Sequence, residues 1–125
     1  MNSFEDLEVW KKACRLSVDV YKTLKDSRDY GLKDQMCRAA VSIPSNIAEG
    51  SERHSKADFI RFLRIAMGSS AELRTQMYIA VEIELISKES AKDFVERLKA
   101  ISQMLQALVN SLNRSTVNGQ RRTDL

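Results

Sequence analysis

The 125-residue sequence has little of what interrupts helices or carries chemistry. It contains one proline, four glycines, two cysteines and one histidine. So few prolines and glycines leave no room for the many tight turns of a β-sandwich or β-barrel. The cysteines, Cys14 and Cys37, fit neither a disulfide framework nor a zinc-binding spacing, which favours a reducing compartment. The single histidine, His54, has no nucleophile pattern beside it and is a weak candidate for a general base.

The sequence also lacks the segments that direct a chain to membranes or hold cofactors. No apolar run reaches the roughly 18 residues of a membrane span, and the acidic N-terminus has no signal-peptide core. A cytoplasmic protein without a membrane partner is therefore expected. Glycine-rich phosphate loops and Glu-x-x-His pairs are absent, so we expect no enzyme activity, no cofactor and no metal site.

Charge is nearly balanced over most of the chain. The net charge is +3, but residues 1–113 carry 17 basic and 16 acidic side chains, and the last twelve residues supply the remaining +2. One subunit therefore lacks a strong basic field, although a symmetric oligomer would gather basic faces into one patch.

Apolar periodicity predicts four helices and no strand. The helices are expected at about 4–25, 30–53, 56–85 and 88–113, with Ser55 as the N-cap of the third. Pro44 should disturb the second helix near Ala40, and Gly68 should mark a close approach of another helix. Loops of two to five residues make an antiparallel up-down-up-down four-helix bundle, residues 1–113, followed by a disordered basic tail, residues 114–125.

The first helix carries two apolar stripes that together span about 180° of its surface. The first stripe follows a heptad seam and is expected to face the core: Leu7, Trp10, Cys14, Ser17, Tyr21 and Leu24. The second stripe, Val9, Ala13, Leu16 and Val20, exceeds what a bundle helix needs. It is expected to be an oligomer interface, the alternative being a wide core-facing surface.

Two polar sets are candidate sites. Lys11, Arg15, Lys22 and Lys25 share one arc of the first helix and could contact phosphates, or simply form a solvated face with ion pairs to Glu8. Asn46, Glu49 and Arg53 share a face of the second helix. They are expected to form a structural polar cluster, with a ligand site as the minor alternative.

Several motifs resemble a known family, the small bacterial four-helix-bundle proteins encoded by intervening sequences of 23S ribosomal RNA genes. The motifs are Phe4-x-x-Leu7-x-x-Trp10, Tyr30-Gly31-Leu32-x-x-Gln35-x-x-Arg38-Ala39-Ala40, Ser42-Ile43-Pro44-Ser45-Asn46-Ile47-Ala48-Glu49-Gly50, Phe62-Leu63-x-Ile65-Ala66-x-Gly68-Ser69 and Glu72-Leu73. The resemblance implies a four-helix protomer, a ring-shaped homopentamer and an RNA or ribosome link. It extends to the accessory protein of diversity-generating retroelements, a strongly basic pentamer that works with a reverse transcriptase and RNA.

Two functions stay open at this point. The first is a non-enzymatic, oligomeric protein associated with structured RNA or the ribosome. The second is a protein-binding scaffold or adaptor with no nucleic-acid role. The nearly balanced charge of residues 1–113 is compatible with this second function.

Overall fold

The computed structural model describes the backbone of residues 3–123 and the side chains of residues 3–114. A short 3-10 helix, Phe4–Asp6, precedes four α-helices, and no strand occurs in this part of the chain. The helices are α1 (Glu8–Leu24), α2 (Tyr30–Ser51), α3 (Lys56–Glu82) and α4 (Lys88–Thr123). Each helix packs on the next in sequence, and α4 returns to α1. The predicted antiparallel four-helix bundle is confirmed.

Side-chain caps set most of the helix starts. The Ser55 hydroxyl accepts a hydrogen bond from the Asp58 amide at 3.1 Å, so the predicted cap of α3 is confirmed. Asp29 caps α2 through the Leu32 amide in the same way, and the Ser87 hydroxyl accepts from the Ser90 amide at the start of α4. Each cap satisfies one amide that has no partner within its helix.

Two helix ends differ from the prediction. The third helix ends at Glu82, before Leu85, because Glu84 turns into the left-handed region with φ 62° and the Leu85 amide donates back to the Ala80 carbonyl at 2.8 Å. The fourth helix is assigned as far as Thr123, beyond the predicted end near Asn113. Side chains after residue 114 lie outside the described residues, so the basic tail predicted for residues 114–125 stays a prediction.

Pro44 lies inside α2 and is buried, and the helix continues through it. Proline has no amide hydrogen, so it cannot donate to the Ala40 carbonyl four residues earlier. The Ser17 hydroxyl of α1 occupies that place: its oxygen lies 2.9 Å from the Ala40 carbonyl oxygen and 3.0 Å from that of Ala13. A side chain of one helix thus compensates for the missing donor of its neighbour.

The face that α1 turns toward the core is rotated by about 100° from the predicted one. Val9 is 4% exposed and Ala13, Leu16 and Val20 are fully buried within their own subunit, so their assignment to an oligomer interface is wrong. The expected core stripe is divided instead. Ser17 and Leu24 are buried, Leu7, Trp10 and Cys14 are partly buried, and Tyr21 is 52% exposed. The purely aliphatic stripe occupies the interior, while Trp10 and Tyr21 remain accessible to water in part.

Gly50 and Gly68 differ in how closely other side chains approach them. Gly50 lies against α3, where an added Cβ would come within 2.6 Å of the Phe62 Cβ. Gly68 is exposed and has no atom within 4 Å of such a Cβ, so the close approach predicted there is wrong. The neighbouring serines make the interhelical contacts: Ser69 hydrogen-bonds with Ser42 of α2 at 2.8 Å, and Ser70 donates to the Leu98 carbonyl of α4 at 3.2 Å.

Candidate nucleic-acid interface

The four basic residues predicted on α1 are all exposed, but they do not form one site. Lys11 and Arg15 lie toward α4. Lys22 borders a different depression of the same seam, and Lys25 lies just after the end of α1, where its carbonyl accepts a hydrogen bond from the Lys33 ammonium at 3.1 Å. The structure therefore brings together only the first two residues of the predicted set.

Lys11 and Arg15 line a groove of about 360 Å³ between α1 and α4. These two helices pack against each other less extensively than the other neighbouring pairs, which leaves the seam open. Lys12 and Arg97 complete a set of four cations around the groove, and Ala100 and Ile101 of α4 line it as well. We name this site the α1–α4 basic groove.

The ion pairs around the groove are long on the α1 side. The Lys11 ammonium lies 3.9 Å from the Glu8 carboxylate, and the Arg15 guanidinium lies 3.9 Å from the Asp19 carboxylate. Both cations are more than half exposed, so each pair contributes little to stability. No ion pair within the described residues involves Lys12. Lys11, Lys12 and Arg15 are therefore available to an external anion.

Arg97 has a structural role at the floor of the same seam. One nitrogen, Nη2, lies 2.9 Å from Oδ2 of Asp19, and the other, Nη1, lies 3.5 Å from Oδ2 of Asp93. The Arg97 and Asp19 side chains are 29% and 32% exposed, and the guanidinium carbon also lies over the Phe94 ring, 5.5 Å from its centroid. This bridge joins α1 to α4 and separates the basic groove from the depression beyond it.

That second depression, about 450 Å³, is lined by side chains of both charges. Asp19, Glu89 and Asp93 face Lys22 there, so an anion would meet carboxylates as well as an ammonium. The basic end of the seam is the better place for a phosphate. Sequence reasoning missed Lys12 and Arg97. Lys12 lies beside Lys11 in the sequence and could have been added, whereas the position of Arg97 depends on how α4 packs on α1.

The predicted polar cluster of α2 forms only in part. Arg53 pairs with Glu49 at 2.9 Å on the exposed surface. Asn46 does not join them, because its amide nitrogen donates to the carbonyl and hydroxyl oxygens of Ser42 at 2.8 and 2.9 Å. The expected three-residue network is therefore wrong, and the exposed pair that remains forms no enclosed site for a ligand.

Arginines also enclose Phe62 at the corner between α2 and α3. The guanidinium of Arg53 lies 5.0 Å from the centroid of the Phe62 ring, and that of Arg61 lies 4.6 Å from it. Arg61 also pairs with Asp58 at 3.6 Å. These contacts engage both cations within the chain and give the corner a structural role.

The two thiols and the histidine differ in burial: Cys37 is buried, Cys14 is half-buried and His54 is at the surface. Burial raises the pKa of the Cys14 thiol, and burial together with nearby Asp34 raises that of Cys37 against the opposing effect of Lys33. A raised pKa leaves less thiolate, the reactive form. His54 is exposed. Among the described residues, no group of three or more His, Cys, Asp or Glu side chains could hold a metal ion. No described helix is long and apolar enough to cross a membrane.

The fold and the open seam define an antiparallel four-helix bundle with a small basic groove between its first and last helices. The chain belongs to the 23S rRNA-intervening sequence protein family, whose sequence model matches residues 5–107. This confirms the family that the sequence motifs indicated.

A solved structure supports the same assignment. It is a protein of unknown function from the S23 ribosomal protein family of Bacteroides thetaiotaomicron. The two chains are 26% identical, and they superpose with a TM-score of 0.76 over 81% of this chain and 97% of that one. No functionally curated protein matches this chain.

Proposed function

We propose that the protein is a non-enzymatic, cytoplasmic RNA-binding bundle associated with structured RNA or the ribosome, and that the α1–α4 basic groove contacts the phosphate backbone. The observation that carries the proposal is the grouping of Lys11, Lys12, Arg15 and Arg97 around one groove. The family description, which links such proteins to intervening sequences of 23S rRNA, agrees with it.

The charges favour a modest, salt-sensitive contact. Three of the four cations are exposed and only loosely paired, so each can exchange condensed counterions for a phosphate. Three phosphate contacts give a slope of log K against log salt of about −2 to −3 for each subunit. Three phosphate contacts make a weak RNA-binding site in a monomer. Repeating the groove in an assembly would multiply the number of contacts and raise the affinity.

Self-association is part of this proposal, with a different face from the one predicted. The stripe that α1 leaves at the surface includes Val18, 43% exposed, and Tyr21, 52% exposed, with Cys14 half-buried beside them. The proposed subunit contact therefore uses this exposed stripe of α1 and not the buried one. A homopentamer is the state that the sequence resemblance implies.

The RNA proposal is tested with a fluorescein-labelled RNA hairpin and fluorescence anisotropy over a range of salt concentrations. The triple variant K11Q/K12Q/R15Q should weaken binding and reduce the magnitude of the salt slope by about 2. The matched control R28Q/R38Q/R64Q removes the same charge from exposed arginines elsewhere and should keep the slope. Equal losses in both variants, or no binding by the intact oligomer at low salt, would refute a groove-directed contact.

The assembly is tested by light scattering. Val18→Glu with Tyr21→Glu should reduce the particle mass and keep the helix content, because both side chains are exposed in the subunit. Leu16→Glu should unfold the bundle instead, since it places a charge in the core. A wild-type monomer at micromolar concentration would end the argument for self-association.

A protein-binding scaffold is the second candidate. The observation in its favour is a set of isoleucines, each between 41% and 51% exposed: Ile65 and Ile79 on α3, and Ile83 directly after its end. A single protein partner that is retained after nuclease treatment, together with no RNA binding, would favour this function over the first.

A further inference from the structure

A groove with an apolar lining lies between α3 and α4, away from the α1–α4 basic groove. Its volume is about 490 Å³. Val81, Ala91 and Val95 form its floor, and Tyr78 stands at its edge, 55% exposed and without a hydrogen-bond partner for its hydroxyl among the described residues. An apolar floor beside an open aromatic ring is the composition of a recognition groove.

The rim carries five charged side chains. Lys88, Lys92 and Lys99 line the α4 side together with Glu96, and Glu82 lies at the α3 edge. All five are exposed, and no ion pair within the described residues engages any of them. Lys88 is also the first residue of α4, where the helix dipole disfavours a cation. No ion pair within the described part of the chain therefore accounts for these lysines.

The mixed signs of the rim indicate the kind of partner. A nucleic acid would meet the carboxylates Glu82 and Glu96 as well as the lysines, and repulsion would offset much of the attraction. A protein helix can carry acidic residues on one flank and a basic residue on the other, and so match both signs. Lys88 and Lys99 are about 16 Å apart along α4, which is the length of about three helical turns.

We propose that the α3–α4 groove binds an amphipathic helix of a partner protein, with an apolar ridge on Val81, Ala91 and Val95. The flank of that helix over α4 is acidic and pairs with Lys88, Lys92 and Lys99. The flank over α3 carries a basic residue opposite Glu82. This proposal does not depend on RNA binding, because the two grooves share no residue.

The probe is a phage-displayed library of helix-forming peptides of about 14 residues, with a fixed leucine ridge and flanks drawn from Ala, Gln, Glu and Lys. Selection on the intact protein should enrich Glu over Lys on one flank. A selected peptide, synthesised with a fluorescent label, should shift the amide resonances of residues 78–82 and 88–99. Tyr78→Ala, and separately K92E/K99E, should weaken its binding by about 10-fold or more.

Two matched controls keep the test specific. Tyr30→Ala removes an exposed tyrosine at the start of α2, and K22E/K25E reverses two charges around the end of α1, so both variants should bind the peptide as the wild type does. Circular dichroism establishes that each variant is folded. Selection without an acidic bias, resonance shifts outside the groove, or full binding by Tyr78→Ala would overturn the proposal. The proposal would also be overturned if the amide resonances of the groove shifted when RNA was added, because RNA would then be the occupant. Shifts with protein concentration alone would overturn it as well, because the occupant would then be a second copy of the chain.

Discussion

Replacing Ser17 with alanine removes the hydroxyl that lies 2.9 Å from the Ala40 carbonyl oxygen. Ser17 is 7% exposed and Ala40 is fully buried, so water has little access to the carbonyl that is left. Pro44 cannot supply the usual helical amide donor, because its nitrogen carries no hydrogen. An unsatisfied buried acceptor costs about 1–3 kcal/mol. We therefore expect Ser17→Ala to reduce the free energy of unfolding by about 2 kcal/mol, or about 8 °C in Tm.

The decisive measurement is a double-mutant cycle with Pro44→Ala. The free energy of unfolding of each variant is measured by urea unfolding, monitored by circular dichroism. Alanine at position 44 restores an amide that donates to the Ala40 carbonyl, so Ser17→Ala in that background should cost less than about 1 kcal/mol. Thr75→Ala is the matched control, because the Thr75 hydroxyl donates to the Ala71 carbonyl at 3.0 Å on the exposed surface. The control should change stability very little. Equal costs of Ser17→Ala with and without Pro44 would refute the compensation.

Three further predictions follow from local packing and burial. Gly50→Ala should destabilise the bundle by about 1–3 kcal/mol in thermal or urea unfolding, because the new Cβ would lie 2.6 Å from the Phe62 Cβ; unchanged stability would contradict this contact. Gly68→Ala should stabilise it by about 0.5–1 kcal/mol, since the site is open and helical, and a loss would mean that another chain covers it. Under native conditions, Cys14 should react with a thiol reagent before Cys37, because Cys37 is the more buried of the two. Both should react more slowly than free cysteine, because burial raises both thiol pKa values; faster labelling of Cys37 would contradict its burial.

The sequence was sufficient for the architecture because long amphipathic segments and their caps are local signals. Ser55 before Lys56 marks the start of α3, and the structure places the cap there. The end of α3 was less predictable, since nothing in the residue type of Glu84 announces a left-handed turn. The role of each glycine was also hard to predict. The sequence shows that a side chain is missing, but only the packed structure shows whether there is room for one, and at Gly50 there is not.

The candidate site was predictable only where its residues lie on one helix. Lys11 and Arg15 are a turn apart on α1, so periodicity places them together. Arg97 reaches the same groove from α4, and no sequence spacing links it to α1. For the polar set of α2, a shared helix face did not produce the predicted contacts. Asn46 shares a face with Glu49, but a nearer acceptor, the Ser42 carbonyl at 2.8 Å, takes its amide hydrogen bond.

The orientation of α1 could not be read from apolar periodicity, because its two stripes differ by about 100°, the rotation of one residue. Both rotations bury a continuous apolar surface, so the choice falls to contacts that only one of them permits. In the observed orientation Ser17 reaches the Ala40 carbonyl of α2, and Asp19 reaches Arg97 of α4 at 2.9 Å. These two contacts hold α1 from both sides. They keep Val9, Leu16 and Val20 inside and leave Val18 and Tyr21 at the surface. The polar residues of α1 thus favour the orientation in which the stripe of Val9, Ala13, Leu16 and Val20 is core.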